Sequence, residues 1–245
     1  MNTDATGLPD IKVFVDCADF DSLRKALLLP YAKGFTTNPS LVSQAGVGDY
    51  TAYAREVLNL VPVMPVSFEV LSDSPEGMAA EARIIRSWGG NVYVKIPVID
   101  SSGNSMGPLI QALSDEGTLL NVTCVFTPEQ ARIAAEALNP RTPAIVSVFA
   151  GRIADVGVDP MPIVAACKDI LAPLPKTELL WASTREVYNI WQAASAGCRI
   201  VTAPLAMVGK LKNAGRDLTE LSRDAVQAFM RDIASANVQF GKNVS

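Results

Sequence analysis

The sequence contains no histidine among its 245 residues. This absence excludes Ser-His-Asp and Cys-His nucleophiles, histidine-ligated zinc or iron, and the usual general base near neutral pH. Cysteine is scarce, and the four cysteines are far apart with no C-x-x-C pair: Cys17, Cys124, Cys167 and Cys198. We therefore expect no metal site and interpret these thiols as buried small residues in a reducing compartment.

Long apolar runs and clusters of positive charge are also absent. No run reaches the roughly 20 residues that span a bilayer, and the first residues lack the pattern of a signal peptide. The 21 Lys and Arg residues are outnumbered by 25 Asp and Glu, which gives a formal charge of −4 without any basic cluster. We expect a cytoplasmic protein with no membrane partner and no nucleic-acid partner.

The sequence does contain short apolar runs rich in β-branched residues, at fairly even intervals. Most are nearly continuous in hydrophobicity, as expected for strands covered on both faces. There are eight of them: Val13–Cys17, Gly34–Thr37, Val66–Val70, Val92–Ile96, Leu120–Val125, Ala144–Phe149, Leu179–Ala182 and Ile200–Ala203.

Helical spacing appears between these runs, as in Asp21–Leu29, Pro75–Trp88, Pro128–Leu138 and Glu186–Ala196. Ser74 and Thr127 each precede a proline and an acidic residue, a typical helix start. Eight strand-helix repeats predict an α/β fold, a (β/α)8 TIM barrel, with a doubly wound open sheet as the main alternative. No G-x-G-x-x-G or P-loop motif follows a strand, so a nucleotide site has no support.

We predict one domain over residues 1–245, because no linker-like segment interrupts the chain. The barrel covers about residues 11–215, and a C-terminal helical segment covers about residues 216–240. Within that segment, Leu218–Phe240 has the pattern of one long or two short amphipathic helices.

Polar residues at the carboxyl ends of barrel strands are the candidates for chemistry, since active sites of such barrels lie there. They are Asp16, Thr36, Thr37, Asn38, Glu69, Lys95, Asn121, Thr123, Ser147, Ser183 and Arg185. Lys95 differs from the others because Val94, Ile96 and their neighbours would desolvate it. A neutral amine there could attack a carbonyl to form an imine, or Lys95 could be an ion-pair partner of Asp16 or Glu69.

The other candidates have equally open interpretations. Asp16 and Glu69 could transfer protons near the amine or simply offset its charge. The neutral side chains could bind sugar hydroxyls or cap turns: Asn38, Asn121, Thr123 and Ser147. Arg152 and Arg185, with Ser183, could hold a phosphate or be ordinary surface cations.

Taken in order, seven motifs between Lys12 and Leu211 resemble the transaldolase family, especially its short-chain branch with the fructose 6-phosphate aldolases. The motifs are FVDCA, TTNPS, SFEV, VKIP, NVT, SVFAGR and ASTR. The resemblance implies that Lys95 forms a Schiff base with a sugar phosphate. It implies that Asp16 handles the proton of the hydroxyl next to the cleaved bond, and that Glu69 and Thr123 position a water. It also implies no metal or organic cofactor, and a homo-oligomer for which a decamer is one candidate.

Substrate binding is likewise implied by the resemblance. Asn38, Asn121 and Ser147 would hold a dihydroxyacetone unit, with Thr37 and Phe149 also among the substrate-binding residues. Arg152, Ser183 and Arg185 would take the phosphate. In the family, Glu and Phe at the positions of Glu69 and Phe149 accompany transaldolases, whereas Gln and Tyr accompany aldolases that release free dihydroxyacetone.

The sequence therefore predicts a transaldolase, and two alternatives stay open. One is a fructose 6-phosphate aldolase-like enzyme, and the other is a barrel that binds sugar phosphates without turnover. Three positions depart from the family pattern: Cys17, Val148 and Glu186. Glu186 matters most, because a carboxylate beside Arg185 could weaken or reshape an anion site.

Overall fold

The computed structural model describes residues 8–236. Eight parallel strands close into a barrel, each paired with the next strand in the sequence and the last with the first. The strands are β1 (Lys12–Asp16), β2 (Ala32–Thr36), β3 (Val66–Glu69), β4 (Val92–Pro97), β5 (Leu120–Val125), β6 (Ala144–Val148), β7 (Thr177–Trp181) and β8 (Ile200–Pro204). The predicted (β/α)8 barrel is confirmed, and the open sheet is wrong.

Helices follow every strand, and two helices follow each of β2, β6 and β8. They are α1 (Phe20–Leu27), α2 (Pro39–Gln44), α3 (Tyr50–Leu60), α4 (Pro75–Arg86), α5 (Gly107–Asp115), α6 (Pro128–Ala137), α7 (Ala150–Asp155), α8 (Pro160–Leu171), α9 (Asn189–Ser195), α10 (Leu205–Val208) and α11 (Leu218–Ala236), with a 3₁₀ turn at Gly209–Asn213. Ser74 and Thr127 cap α4 and α6, as their sequence context predicts.

The predicted helix Glu186–Ala196 begins later than its sequence pattern indicates. The Asn189 side chain accepts hydrogen bonds from the backbone N–H groups of Arg185 (2.9 Å) and Glu186 (3.1 Å). These bonds stabilise a turn before α9, because they give a side-chain acceptor to two backbone donors that would have no partner within a helix starting there. Arg185 and Glu186 therefore lie on a loop after β7.

Apolar side chains from several strands pack together inside the barrel. Phe14, Ile145 and Leu180 form a buried cluster with Ala182 and Ile200. A Cβ atom on Gly34 would lie 2.6 Å from the Phe14 ring, so glycine is required for this large ring to fit between β1 and β2.

Strand register sets the height of the polar residues above this core. Glu69 on β3 is level with Lys95 on β4, and Lys95 is level with Asn121 on β5. On the opposite wall, Asp16 is level with Thr36. Neighbouring strands in register bring these side chains together, although they are distant in the sequence.

The chain divides into two compact units at Leu211 and Lys212, and the prediction of one domain stays a prediction. In the second unit, α11 is one continuous helix over Leu218–Ala236, and the rest of the predicted segment, up to Phe240, lies outside the described residues. Between residues 8 and 236, none of the helices combines the length and apolar character needed to cross a bilayer.

Candidate active site

A cavity of about 460 Å³ opens at the carboxyl ends of the strands. It is lined by twelve of the thirteen residues that the sequence and its resemblance proposed: Asp16, Thr36, Asn38, Glu69, Lys95, Asn121, Thr123, Ser147, Phe149, Arg152, Ser183 and Arg185. Thr37 is the exception: it is buried, and its hydroxyl donates to the Ser67 carbonyl at 3.0 Å. The barrel thus gathers almost the whole set around one space.

Lys95 lies on the wall of this cavity with only 7% of its surface exposed. Its Nζ donates to the backbone carbonyl of Thr37 at 2.7 Å and to a Glu69 carboxylate oxygen at 2.9 Å. Thr37 therefore contributes its main-chain oxygen to the site. This geometry fits both interpretations of Lys95, as an ion-pair partner and as an amine that forms an imine. The Glu69 carboxylate balances the charge of the Lys95 ammonium and lies where it can accept the ammonium proton.

Asp16 faces the same cavity from β1. It accepts hydrogen bonds from the Thr36 hydroxyl at 3.0 Å and the Asn38 amide at 3.3 Å. Burial raises the pKa of Asp16, and the Lys95 charge and these hydrogen bonds oppose that rise only in part. A carboxylate of raised pKa is a stronger base than an ordinary aspartate.

Thr123 brings a buried hydroxyl to the cavity beside Lys95. Among residues 8–236, this hydroxyl has no oxygen or nitrogen partner, and only the weakly polar Cys124 thiol interacts with it. Buried polar groups are usually satisfied, and a water molecule is the common partner where the space is polar. The cavity and the neighbouring carboxylate of Glu69 provide that polar space.

A chain of hydrogen bonds orients the amide of Asn121. Its Nδ2 donates to the Ser67 hydroxyl at 3.1 Å, and its Oδ1 accepts from the Ser147 hydroxyl at 2.6 Å. All three side chains are buried. The remaining hydrogen-bonding capacity of Asn121 and Ser147 is available to a ligand in the cavity, and packing fixes its direction.

The other end of the cavity is positively charged. The Arg152 guanidinium on α7 lies over the Phe149 ring, 5.0 Å from its centroid. Ser183 has a left-handed backbone with φ of 61°, and a Cβ on Gly151 would lie 1.6 Å from the Ser183 carbonyl oxygen. Glycine at this position lets α7 approach the loop after β7, which brings the side chains of both elements to one place.

The Arg185 side chain binds the carboxylate of Asp155 on α7, with a shortest distance of 2.6 Å. From its place next to Arg185 in the sequence, Glu186 is the carboxylate expected to affect this guanidinium. Glu186 is exposed and forms no ion pair within the described part of the chain. The spacing of Arg152 and Asp155 on one helix is visible in the sequence, but their approach to Arg185 depends on the packing of α7.

Sequence reasoning also missed polar residues of β8 and its neighbouring loop. The Thr202 hydroxyl lies 2.6 Å from that of Thr36, and the Thr184 hydroxyl donates to the Thr202 carbonyl at 2.6 Å. Thr202 and Thr184 both line the cavity, and so does Cys124. A single hydroxyl within the apolar run IVTAP is the signal that could have identified Thr202.

Comparisons with known proteins agree with the predicted resemblance. The family model "Transaldolase/Fructose-6-phosphate aldolase" matches residues 13–243. A probable transaldolase of Desulforudis audaxviator is 38% identical over 226 residues, covering 91% of this chain and 98% of the relative. One from Anaeromyxobacter sp. (strain K) is 36% identical over 202 residues, covering 82% of this chain and 88% of the relative.

Solved structures are similar at a greater distance. The 3-hexulose-6-phosphate synthase of Salmonella typhimurium has a TM-score of 0.55 at 16% identity, covering 83% of this chain and 97% of its own. A dihydrodipicolinate synthase family protein from Coccidioides immitis has a TM-score of 0.58 at 13% identity, covering 96% of this chain and 80% of its own. At these identities the similarity shows the barrel fold alone.

Proposed function

Since this chain belongs to the transaldolase/fructose-6-phosphate aldolase family, we propose that it moves a dihydroxyacetone unit from a ketose phosphate to an aldose phosphate through a Schiff base on Lys95. One observation carries the proposal. The buried Lys95 Nζ lies 2.9 Å from Glu69 in a cavity that also holds Asp16 and Thr123. A barrel that only binds sugar phosphates has no use for this complete set.

The first step is formation of the imine. Transfer of a proton from Lys95 to Glu69 leaves a neutral amine and a neutral acid, which removes two charges from a poorly hydrated site. The amine attacks the ketone carbon of the donor and forms a carbinolamine. Glu69 then returns a proton to the departing hydroxyl through a water held by Thr123, and water leaves as the iminium forms.

Cleavage uses the carboxylate on the opposite wall. Asp16 removes the proton of the hydroxyl next to the cleaved bond, and a carbonyl forms there as the carbon-carbon bond breaks. The bonding electrons move to the iminium and give an enamine on Lys95, while the first aldose phosphate leaves. The raised pKa of Asp16 supports its role as the base.

Substrate binding follows from the two ends of the cavity. Asn38, Asn121 and Ser147 hold the dihydroxyacetone hydroxyls, and their hydrogen bonds within the site support this orientation. Arg152, Ser183 and Arg185 take the phosphate by charge-assisted bonds. Thr37 supports the reaction through its carbonyl oxygen, which holds Lys95 Nζ.

Transfer is favoured over release because Phe149 has no hydroxyl. Free dihydroxyacetone leaves only after the enamine gains a proton, and the Phe149 ring, packed 5.5 Å from Phe126, supplies none. The enamine therefore persists until an aldose phosphate arrives and reforms the carbon-carbon bond. The aldolase alternative predicts rapid release without any acceptor.

We also propose that the protein is cytoplasmic and that it forms a homo-oligomer, the second of which the family resemblance implies. The second unit supports self-association in one respect: α11 exposes apolar side chains at helical spacing, among them Leu218, Leu221, Phe229, Met230 and Ile233. Exposed apolar stripes of this kind are typical of interaction surfaces. Light scattering on the purified full-length chain measures the number of subunits directly.

Borohydride trapping tests the mechanism. Incubation with fructose 6-phosphate and borohydride should label the protein, and peptide mass mapping should locate the adduct on Lys95. Lys95→Met should lose both adduct and turnover, whereas Lys25→Met, which changes an exposed lysine of α1, should keep both. An adduct on a different lysine, or turnover by Lys95→Met, would exclude the proposed role of Lys95.

A further inference from the structure

Arg185 reaches the cavity with its guanidinium already bound to a carboxylate. Its Nε donates to the two Asp155 oxygens at 3.0 and 3.1 Å, and its Nη2 donates to one of them at 2.6 Å. These hydrogen bonds lower the pKa of Asp155 and raise the pKa of Arg185. Their side chains are about half exposed, at 48% and 49%, so another anion can compete for this pair.

Arg152 belongs to the same group of charges. It precedes Asp155 by one turn of α7, and its charge also lowers the pKa of Asp155. Within residues 8–236 it forms no ion pair of its own, and its guanidinium rests on the Phe149 ring. The Arg152 and Arg185 end of the cavity, called the anion end below, therefore carries two positive charges and one negative charge. The negative charge is the Asp155 carboxylate, which is bound to Arg185.

Contacts other than the ion pair also hold α7 against the loop after β7. Backbone contacts already join the two: the N–H of Gly151 donates to the Ala182 carbonyl at 3.3 Å. Gly151 also lies so close to the Ser183 carbonyl that no side chain fits between them. A role for Asp155 in ligand binding therefore explains its position better than a role as a clamp.

We propose that Asp155 is a specificity-determining residue whose carboxylate competes with the phosphate of the substrate for Arg185. A phosphate that enters displaces Asp155 from the guanidinium, and Asp155 binds Arg185 again when the phosphate leaves. This inference rests on the proposed function for the identity of the substrate, although competition for Arg185 applies to any phosphate.

Competition between Asp155 and phosphate for Arg185 is useful in a group-transfer reaction. The first aldose phosphate must leave the anion end before the second one enters, while the enamine waits on Lys95. A site with two unpaired guanidinium groups would hold the first product longer and slow the exchange. Asp155 weakens phosphate binding and so speeds the release of product in each turnover.

The test measures the binding of inorganic phosphate to the full-length protein by isothermal titration calorimetry. Asp155→Asn should bind phosphate about fivefold more tightly, which corresponds to the upper range for a half-exposed ion pair. Glu186→Gln is the matched control, because it removes the same charge from the residue next to Arg185 without breaking an ion pair. Its phosphate affinity should stay within about twofold of the wild type.

Turnover provides the second measurement. In Asp155→Asn, the ratio of kcat/KM for fructose 6-phosphate to kcat/KM for fructose should rise by a similar factor, and release of the aldose phosphate should slow. Thermal unfolding checks that the variant is folded, and Asp155→Ala replaces it if it is not. A merely structural role would lower the unfolding temperature and leave this ratio unchanged.

Unchanged or weaker phosphate binding in Asp155→Asn overturns the inference, and so does equal tightening in Glu186→Gln. Phosphate that binds neither the wild type nor Asp155→Asn also overturns it. Tighter phosphate binding without turnover of any sugar phosphate would support the role of Asp155 and contradict the proposed function. Normal transfer with unaltered phosphate affinity would support the function and contradict the role of Asp155.

Discussion

At the Lys95 end of the cavity the functional side chains stand on β-strands, whereas at the Arg185 end they stand on α7 and the loop after β7. Lys95 is 7% exposed and its Nζ is held by two acceptors. The Arg185 side chain is 49% exposed and its partner is the equally exposed Asp155. The side chain at the Lys95 end is buried and held by hydrogen bonds, whereas the ion pair at the Arg185 end is about half exposed to solvent.

This difference corresponds to two chemical requirements. Proton transfers need donor and acceptor atoms at hydrogen-bond distance, and burial raises the pKa of the Asp16 carboxyl group. Under the proposed function, a phosphate enters and leaves in every turnover, and its binding needs charge as well as reversible contacts. Substitutions at the two ends should therefore affect different kinetic steps.

The largest effect is expected at the buried end. Glu69→Gln should slow imine formation by about 100-fold or more, within the range of a positioned general acid-base group, and should change donor affinity little. Single-turnover trapping separates the two quantities. Glu178→Gln, which removes a carboxylate paired with Lys12 away from the cavity, should leave the rate unchanged. A normal rate of imine formation in Glu69→Gln would make Glu69 a structural partner of Lys95.

The second largest effect is expected at Phe149, whose ring contacts Arg152 between the two ends of the cavity. Phe149→Tyr should increase release of free dihydroxyacetone by about tenfold, because the added hydroxyl can help to protonate the enamine. The assay measures dihydroxyacetone with and without an aldose phosphate. Phe126→Tyr is the control, since Phe126 packs against Phe149 but does not line the cavity. Rapid release by the unmodified protein would favour the aldolase alternative.

The buried carboxylate of Asp16 should also lower the free energy of unfolding at neutral pH. The folded state holds a proton on Asp16 more tightly than the unfolded state does, because burial raises the pKa of Asp16. The resulting destabilisation is fully present above the folded pKa, declines as the pH falls through it, and is gone below the unfolded pKa. Asp16→Asn should therefore stabilise the protein at pH 7 by about 1 kcal/mol, the usual scale for relieving a strained functional site.

Denaturant unfolding at several pH values measures this gain, which should shrink in acid. Asp100→Asn offers a comparison of opposite sign, because hydrogen bonds from Asn104 and the neighbouring backbone lower the pKa of the exposed Asp100. Its carboxylate contributes stability above the unfolded pKa, and this contribution is lost as the pH falls. A destabilised Asp16→Asn at pH 7 would mean that its hydrogen bonds outweigh the desolvation of its charge.

The smallest effect concerns salt. Raising the ionic strength from about 0.05 M to about 0.5 M should increase the KM for the phosphorylated donor about threefold, because charges at the exposed end are screened. The rate of imine formation at saturating donor should hardly change, since Lys95 and Glu69 are buried. Equal salt sensitivity of both quantities would contradict the contrast between the two ends.

The sequence predicts the buried end of the site better than the exposed end. Lys95 and Glu69 sit in apolar runs whose period and spacing identify strands, and parallel strands in a barrel align their carboxyl ends. Their proximity follows from the fold alone. Twelve of the thirteen candidate residues accordingly line the cavity, and the motif resemblance supplies residues such as Phe149 and Arg152 that strand position alone does not identify.

Tertiary packing decides what the sequence could not predict. Thr37 belongs to the TTNPS motif, but its side chain turns to Ser67 and only its carbonyl serves Lys95. The carboxylate on Arg185 comes from Asp155, 30 residues earlier, rather than from the adjacent Glu186. No local pattern encodes either contact, because each depends on how a loop or a short helix packs on the barrel.

The register of Glu69, Lys95 and Asn121 on three adjacent strands has a consequence for changing the substrate range. Neighbouring strands lie about 4.8 Å apart, and the hydrogen bonds of a closed sheet keep that spacing constant. The sheet therefore fixes the spacing of the backbone positions that carry these three side chains. To accommodate sugars of other lengths, α7 and the loop after β7 are the better elements to redesign. Their distance from Lys95 is not determined by strand pairing.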